Sequence, residues 1–205
     1  MVGLINLLLH LDEYIGTIIQ TYGTATYLIL FFVIFIETGL VFFPFFPGDS
    51  LIFVAGAFAS TGVINFFWLF IILSFAAILG DSINYSIGKY LGKEVFLKRH
   101  WINEQNIEKT KDFFKRHGGK TIIFARFIPI IRTFAPFVAG VGKMNYLKFF
   151  AFNVIGAISW VISMLTLGYY FGTIPFVKEN LSIIIIVIII ISFIPAILAW
   201  ISHKK

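Results

Sequence analysis

The chain contains no cysteine. Disulfides, thiol catalysis and cysteine-ligated metal are therefore excluded. Charge is scarce: 13% of its 205 residues are Asp, Glu, Lys or Arg, about half the share usual in a soluble domain. No Lys or Arg occurs before Lys89. The four histidines, His10, His100, His117 and His203, lie outside the proline-broken apolar segments, and their spacing suggests no metal site. No serine is flanked by a plausible base, so no nucleophile–base constellation marks an enzyme. The N-terminus has neither the basic start nor the small-residue cleavage site of a signal peptide.

What the chain does have is apolar surface. Hydrophobic residues make up 59%, with 26 Phe, and the mean hydropathy is +0.94. This composition reads as an integral membrane protein, with Phe and Ile serving lipid contact and core packing and no cofactor implied. The longest polar stretch, 92–120, is shorter than the roughly 50 residues a separate soluble domain needs, so 1–205 reads as one membrane domain. The net charge of +6 does not point to nucleic acid, because the positive residues are clustered. Nine of the sixteen lie between Lys89 and Lys120, and Lys204 and Lys205 follow at the end of the sequence. Cytoplasmic loops retain Lys and Arg, which places 92–120 and the C-terminal end inside and the N-terminal end outside.

Residues 1–22 show apolar positions at helical spacing around His10, Asp12 and Glu13, predicting a helix on the membrane surface. Residues 24–60 read as two short helices around a turn containing Pro44, Pro47 and Gly48. Each is too short for the ~20 residues of a span, so the segment predicts a re-entrant hairpin. Broken backbone of this kind is tolerated at depth only where protein or water satisfies it. Residues 63–91 predict a spanning helix with Gly80, Asn84, Gly88 and Gly92 on one small-residue ridge, suited to an internal contact or to a homodimer. The loop 92–120 predicts an amphipathic cytoplasmic helix. Residues 121–142 repeat the hairpin, with Pro129, Pro136 and Gly140 as breakers, and 146–172 repeat the span. A final span is expected over 181–201. The predicted fold is all-α and polytopic: an inverted repeat of re-entrant hairpin plus transmembrane helix, with an extra C-terminal helix.

Inside these apolar segments sit Glu37, Asp49, Arg126 and Arg132. A charge at bilayer depth costs at least about 2.5–3.5 kcal/mol, so the four are expected to face a polar cavity and one another. Arg126 and Arg132 are six residues apart, about 120° from eclipsing on a continuous helix. Pro129 between them breaks the helix and lets both point into one cavity. A guanidinium stays charged and grips phosphate bidentately. The carboxylates can neutralise the arginines or exchange protons. Asp81, near the end of the first span, is a further candidate for proton coupling or charge pairing. A static ion-pair cluster holding the hairpins together is the alternative.

Glu37-Thr38-Gly39 with Pro44 and Pro47-Gly48-Asp49 resembles the first signature of the DedA family. Gly80-Asp81 with Asn84-Tyr85, Gly88 and Gly92 resembles the second. The block Phe124-Ala125-Arg126-Phe127-Ile128-Pro129, with Arg132-Thr133, Pro136 and Ala139-Gly140, resembles the third. The resemblance covers roughly 25–172. It implies a bacterial inner-membrane protein that shares the SNARE-associated, or VTT, domain with lipid scramblases. It further implies return of undecaprenyl phosphate, an anionic polyprenyl-phosphate lipid, coupled to protons. Arg126 and Arg132 match the family's arginines, and Glu37 and Asp49 match its acids. A proton-coupled ion or drug transporter and a lipid scramblase remain the alternatives.

Overall fold

Hydrophobic runs punctuated by Gly and Pro fold here into helices. A computed structural model describes residues 16–17, 21–40, 48–98 and 118–174. Most of the expected surface helix over 1–22, the turn with Pro44 and Pro47, most of the loop over 92–120 and the span over 181–201 lie outside the described residues. Among these residues, a short 3-10 turn at Gly23–Ala25 is followed by six α-helices: α1 Thr26–Gly39, α2 Gly48–Ser60, α3 Phe66–Lys98, α4 Lys120–Ala125, α5 Pro129–Val141 and α6 Tyr146–Phe171.

Two stretches, Phe66–Tyr90 and Tyr146–Phe171, are long and apolar enough to cross a membrane. Only 39% and 33% of their apolar windows are buried, where the core helix of a soluble protein would be mostly covered. Phe67, Trp68 and Phe75 on α3 and Leu147 and Ile155 on α6 are exposed, a face suited to lipid.

Local chemistry sets the helix ends. Asn65 starts α3: its Oδ1 accepts the N–H groups of Phe67 and Trp68 at 2.9 and 3.1 Å, satisfying orphan donors of the first turn. Asn145 serves α6 in the same way, accepting the Lys148 N–H at 3.1 Å. Pro129 opens α5, where its missing N–H has no helical partner to lose. Ile128 before it is extended, as the proline ring requires. The break between α4 and α5 is therefore Arg126–Ile128, and the two helices contact one another across it.

The apolar stretch of the first span ends at Tyr90, close to the expected 91, while the helix itself runs on to Lys98, because residues 92–98 hold no proline and include the helix formers Lys, Glu and Leu. Two expectations are corrected. Pro136 and Gly140 do not break the second hairpin, since both lie inside α5. A proline removes one helical hydrogen bond and crowds the carbonyl four residues back. Burial of Ala135, Phe137 and Ala139 holds the helix together through it. Gly48 is the first residue of α2 and Asp49 lies in its first turn, so Gly48 begins a helix there.

The described residues divide into two compact units. One comprises 16–33, 48–74 and 161–174; the other comprises 34–40, 75–98 and 118–160. In the first, α2 is buried along nearly its whole length. Gly56 abuts the carbonyl of Leu165, Gly168 abuts the carbonyl of Phe53, and Gly172 meets Ala57. In the second, Gly140 abuts the carbonyl of Tyr85 and Gly88 abuts the carbonyl of Phe137. A Cβ at any of these glycines would strike backbone. The two crossings share one pattern. Phe53-Val54-Ala55-Gly56 and Phe137-Val138-Ala139-Gly140 are the same tetrapeptide. Each meets a long helix through a residue and a glycine three positions on, Leu165 and Gly168 or Tyr85 and Gly88.

The small-residue ridge of α3 is thus used within the chain: Gly80 approaches Thr38 and Gly39, and Gly88 approaches α5. Gly88→Val and Gly168→Val are each expected to lower the thermal unfolding midpoint in detergent, because overpacking costs about 1–3 kcal/mol. Leu147→Ala, on an exposed face, should leave the midpoint unchanged.

Candidate functional site

The second unit buries four acidic and basic side chains among the described residues. Glu37, Asp81, Arg126 and Arg132 are each at most 4% exposed. Their positions follow from the helix ends. Glu37 lies near the C-terminal end of α1. Arg126 caps the end of α4, in the break before Pro129. Arg132 stands in the first turn of α5. Asp81 lies mid-way along α3.

Each guanidinium forms an ion pair with a carboxylate. Arg132 Nη2 donates to Glu37 Oε1 at 2.6 Å. Arg126 Nη2 donates to Asp81 Oδ2 and to Asn153 Oδ1 at 2.7 Å. Asn153, from α6, donates in turn to the Ile78 carbonyl of α3 at 3.1 Å, so its own orientation is fixed. Behind both guanidinium groups lies the Trp160 indole. Its ring centroid is 4.6 Å from Arg132 Cζ and 5.8 Å from Arg126 Cζ, within the range of a cation–π attraction. Gly156 belongs to the same face of α6: a Cβ there would stand 3.7 Å from Arg126 Cδ and Nε.

Asn84 ties the helix ends together. Its Nδ2 donates to the Thr38 carbonyl at 3.1 Å and to the Thr133 carbonyl at 2.8 Å. Thr38 directly follows Glu37, and Thr133 directly follows Arg132. The Thr38 carbonyl is one of the last four of α1, which no helical N–H can reach. The carbonyl that Pro136 leaves without a helical donor is that of Arg132, one residue before Thr133. One amide therefore satisfies an open carbonyl of α1, bonds the neighbouring turn of α5 and links the residues that follow Glu37 and Arg132.

The site differs from its sequence expectation in composition. Asp81, expected near a span end as a candidate for proton coupling or charge pairing, forms an ion pair with Arg126. Asn84, expected as ridge packing, is a hydrogen-bonding bridge. Asp49 is half-buried in α2, in the other compact unit. Trp160 and Asn153 did not emerge from the sequence. Asn153 had a signal, as a lone amide in the apolar run FAFNVIGAISW. Among the described residues no three His, Asp or Glu side chains converge as a metal site.

Arg126 Nη1, Asp81 Oδ1 and Asn84 Oδ1 are among the polar atoms of the cluster buried without a hydrogen bond among the described residues. Buried polar atoms are almost always satisfied. Spare donors and acceptors of this kind give the site hydrogen-bonding capacity for water, a proton or a polar ligand.

An apolar helical scaffold with ion pairs in its interior defines a class of helical membrane protein, and the comparisons agree. The VTT domain family matches residues 46–170, which include Asp81, Arg126, Arg132 and Trp160. The chain is 48% identical to Protein DedA of Escherichia coli (strain K12), over 98% of this chain and 94% of that protein. It is 40% identical to an uncharacterized membrane protein of Mycobacterium leprae, over 84% of this chain and 79% of that protein. It is 33% identical to the inner membrane protein YghB of Escherichia coli (strain K12), over 77% of this chain and 73% of that protein. No solved structure matches the chain. The protein belongs to the DedA family of VTT-domain membrane proteins.

Removing one partner of a buried pair leaves a bare charge, at a cost of about 3–5 kcal/mol, whereas removing both costs far less. Asp81→Asn and Arg126→Gln should each destabilise the protein by roughly that amount. The double variant should lose clearly less than the sum, read as chemical unfolding in detergent.

Proposed function

We propose that this protein is a bacterial inner-membrane transporter of an anionic lipid phosphate, most specifically undecaprenyl phosphate, with transport coupled to protons. The observation that carries the reading is the convergence of Arg126 and Arg132 on one buried cluster, with Arg126 Nη1 unsatisfied. Two guanidinium groups in a low-dielectric interior hold a phosphate far more strongly than at a wet surface. Arg132 stands at the N-terminal turn of α5, where helix N–H groups also favour an anion. A relative named as an inner membrane protein supports the location.

In this reading the helix pairs α1–α2 and α4–α5 are re-entrant hairpins of an inverted repeat, and the repeated Phe-Val-Ala-Gly crossing supports that arrangement. Transporters built this way place substrate at broken helices near mid-membrane. Arg126 and Arg132 take the lipid phosphate. Glu37 and Asp81 release the arginines on protonation. Asp49 keeps a proton-coupling role through its match to the family signature. The polyprenyl tail lies along exposed apolar residues of the same unit, such as Phe75 and Ile83 on α3.

Purified protein in liposomes carrying a fluorescent short-chain polyprenyl phosphate tests the proposal. Lipid movement should require the protein and rise with an imposed pH gradient. Arg132→Lys, which keeps charge and loses the bidentate fork, should slow it by about tenfold or more, taking the lost hydrogen bond to a charged group as the measure. Glu37→Gln should abolish the response to the gradient. Movement indifferent to both substitutions overturns the proposal. Rapid movement indifferent to the gradient alone favours a scramblase.

A further inference from the structure

Arg126 and Arg132 share one buried cluster and repel each other. Asp81 and Glu37 each hydrogen-bond one of them, and the Trp160 indole faces both, 4.6 Å from one guanidinium carbon and 5.8 Å from the other. Trp160 is 0% exposed and is the largest of the fully buried side chains. Cation–π attraction is strongest where water is excluded, so this ring acts at close to full strength.

We infer that Trp160 is the positioning residue of the anion site, a counter-charge that holds both guanidinium groups without occupying their N–H donors. The inference rests on the lipid-phosphate reading above. A guanidinium carries its five N–H groups in its plane, whereas a ring attracts it through its electron-rich face. A third carboxylate in place of the ring would add a formal negative charge and consume donors. An aliphatic side chain would fill the volume and leave the two cations to repel. The indole offsets the repulsion and leaves edge donors for a ligand, and Arg126 Nη1 is such a donor, buried with no hydrogen bond among the described residues. Asn153, Gly156 and Trp160 lie at spacings of three and four along α6, one helical face. That face orients Arg126 by an amide, accommodates its side chain at a glycine and backs it with the ring.

The chain has four tryptophans. Full-length protein in detergent, with Trp68, Trp101 and Trp200 replaced by Phe, reports Trp160 emission alone. Titration with farnesyl phosphate, farnesol and inorganic phosphate separates a lipid headgroup from an apolar tail and from free phosphate. Emission should shift saturably with farnesyl phosphate and not with farnesol. A matching shift with inorganic phosphate would make the headgroup alone sufficient. By calorimetry, in the chain with its other tryptophans intact, Trp160→Leu should weaken farnesyl phosphate binding about tenfold or more, and Trp160→Phe by only about threefold, as expected for losing or weakening a desolvated cation–π contact.

Equal affinity in Trp160→Leu and the unsubstituted protein overturns the inference and leaves the lipid-phosphate reading standing. If Trp160→Leu does not fold, Trp160→Phe and Trp160→Tyr replace it. Unchanged affinity in both, or emission that ignores a farnesyl phosphate that calorimetry shows to bind, then overturns the inference. No binding to the unsubstituted protein removes both readings together.

Discussion

A charge taken out of water must be answered within the protein, and this constraint shapes the whole second unit. Two guanidinium groups and two carboxylates are buried there, and each cation forms an ion pair with an anion. The helix dipoles sharpen the constraint. A helix C-terminus disfavours an acid and a helix N-terminus disfavours a base. Glu37 stands near the C-terminal end of α1 and Arg132 in the first turn of α5, so each occupies the end that its own dipole opposes. Together they form a pair that lets two helix ends meet. Asn84 reinforces the meeting at the next residue on each side. The ion pair, the open helix ends and the bridging amide therefore depend on one another.

The glycine crossings supply the precision this arrangement needs. An ion pair at 2.6 Å tolerates little movement of its helices, and backbone-to-backbone contact at Gly88 and Gly140 fixes α5 against α3 more rigidly than long side chains would. The first unit repeats the crossing at Gly56 and Gly168 with different chemistry ahead of it. When the two Phe-Val-Ala-Gly tetrapeptides are aligned, Gly48-Asp49 falls where Arg132-Thr133 stands. An acid in the first turn of α2 agrees with the helix dipole, and a base in the first turn of α5 opposes it. One backbone solution thus carries an acid in one unit and, in the other, a base that needs Glu37.

Much of this was legible because bilayer depth makes charge conspicuous. Glu37, Arg126 and Arg132 stood out against apolar runs, and Pro129 marked the break that separates the two arginines. The α3 ridge was visible as glycines four apart. Trp160 was invisible for the opposite reason: a tryptophan in an apolar helix is ordinary, and only the coordinates show two cations against its face. Pro136 misled because proline is read as a breaker, although packing on both sides carried α5 through it. Asp81 was underrated because its partner lies 45 residues away on another helix, a pairing that no local spacing encodes.

The charge balance of the cluster limits what it can admit. With all four ionised, the two guanidinium and two carboxylate groups among the described residues sum to zero, so the cluster they form is neutral as a whole and dipolar in its parts. A phosphate entering it brings excess negative charge into a medium that resists isolated charge. Neutrality returns only if a carboxylate takes up a proton or leaves its arginine for water. Leaving is obstructed, because Glu37 is fixed by the end of α1 beneath the Asn84 bridge and Asp81 lies in the middle of a 33-residue helix. Protonation in place is the movement this geometry leaves open. A neutral carboxylic acid would also release its guanidinium donors to the incoming oxygens. On the proposed reading, then, proton coupling follows from burying equal numbers of opposite charges where neither acid can move away.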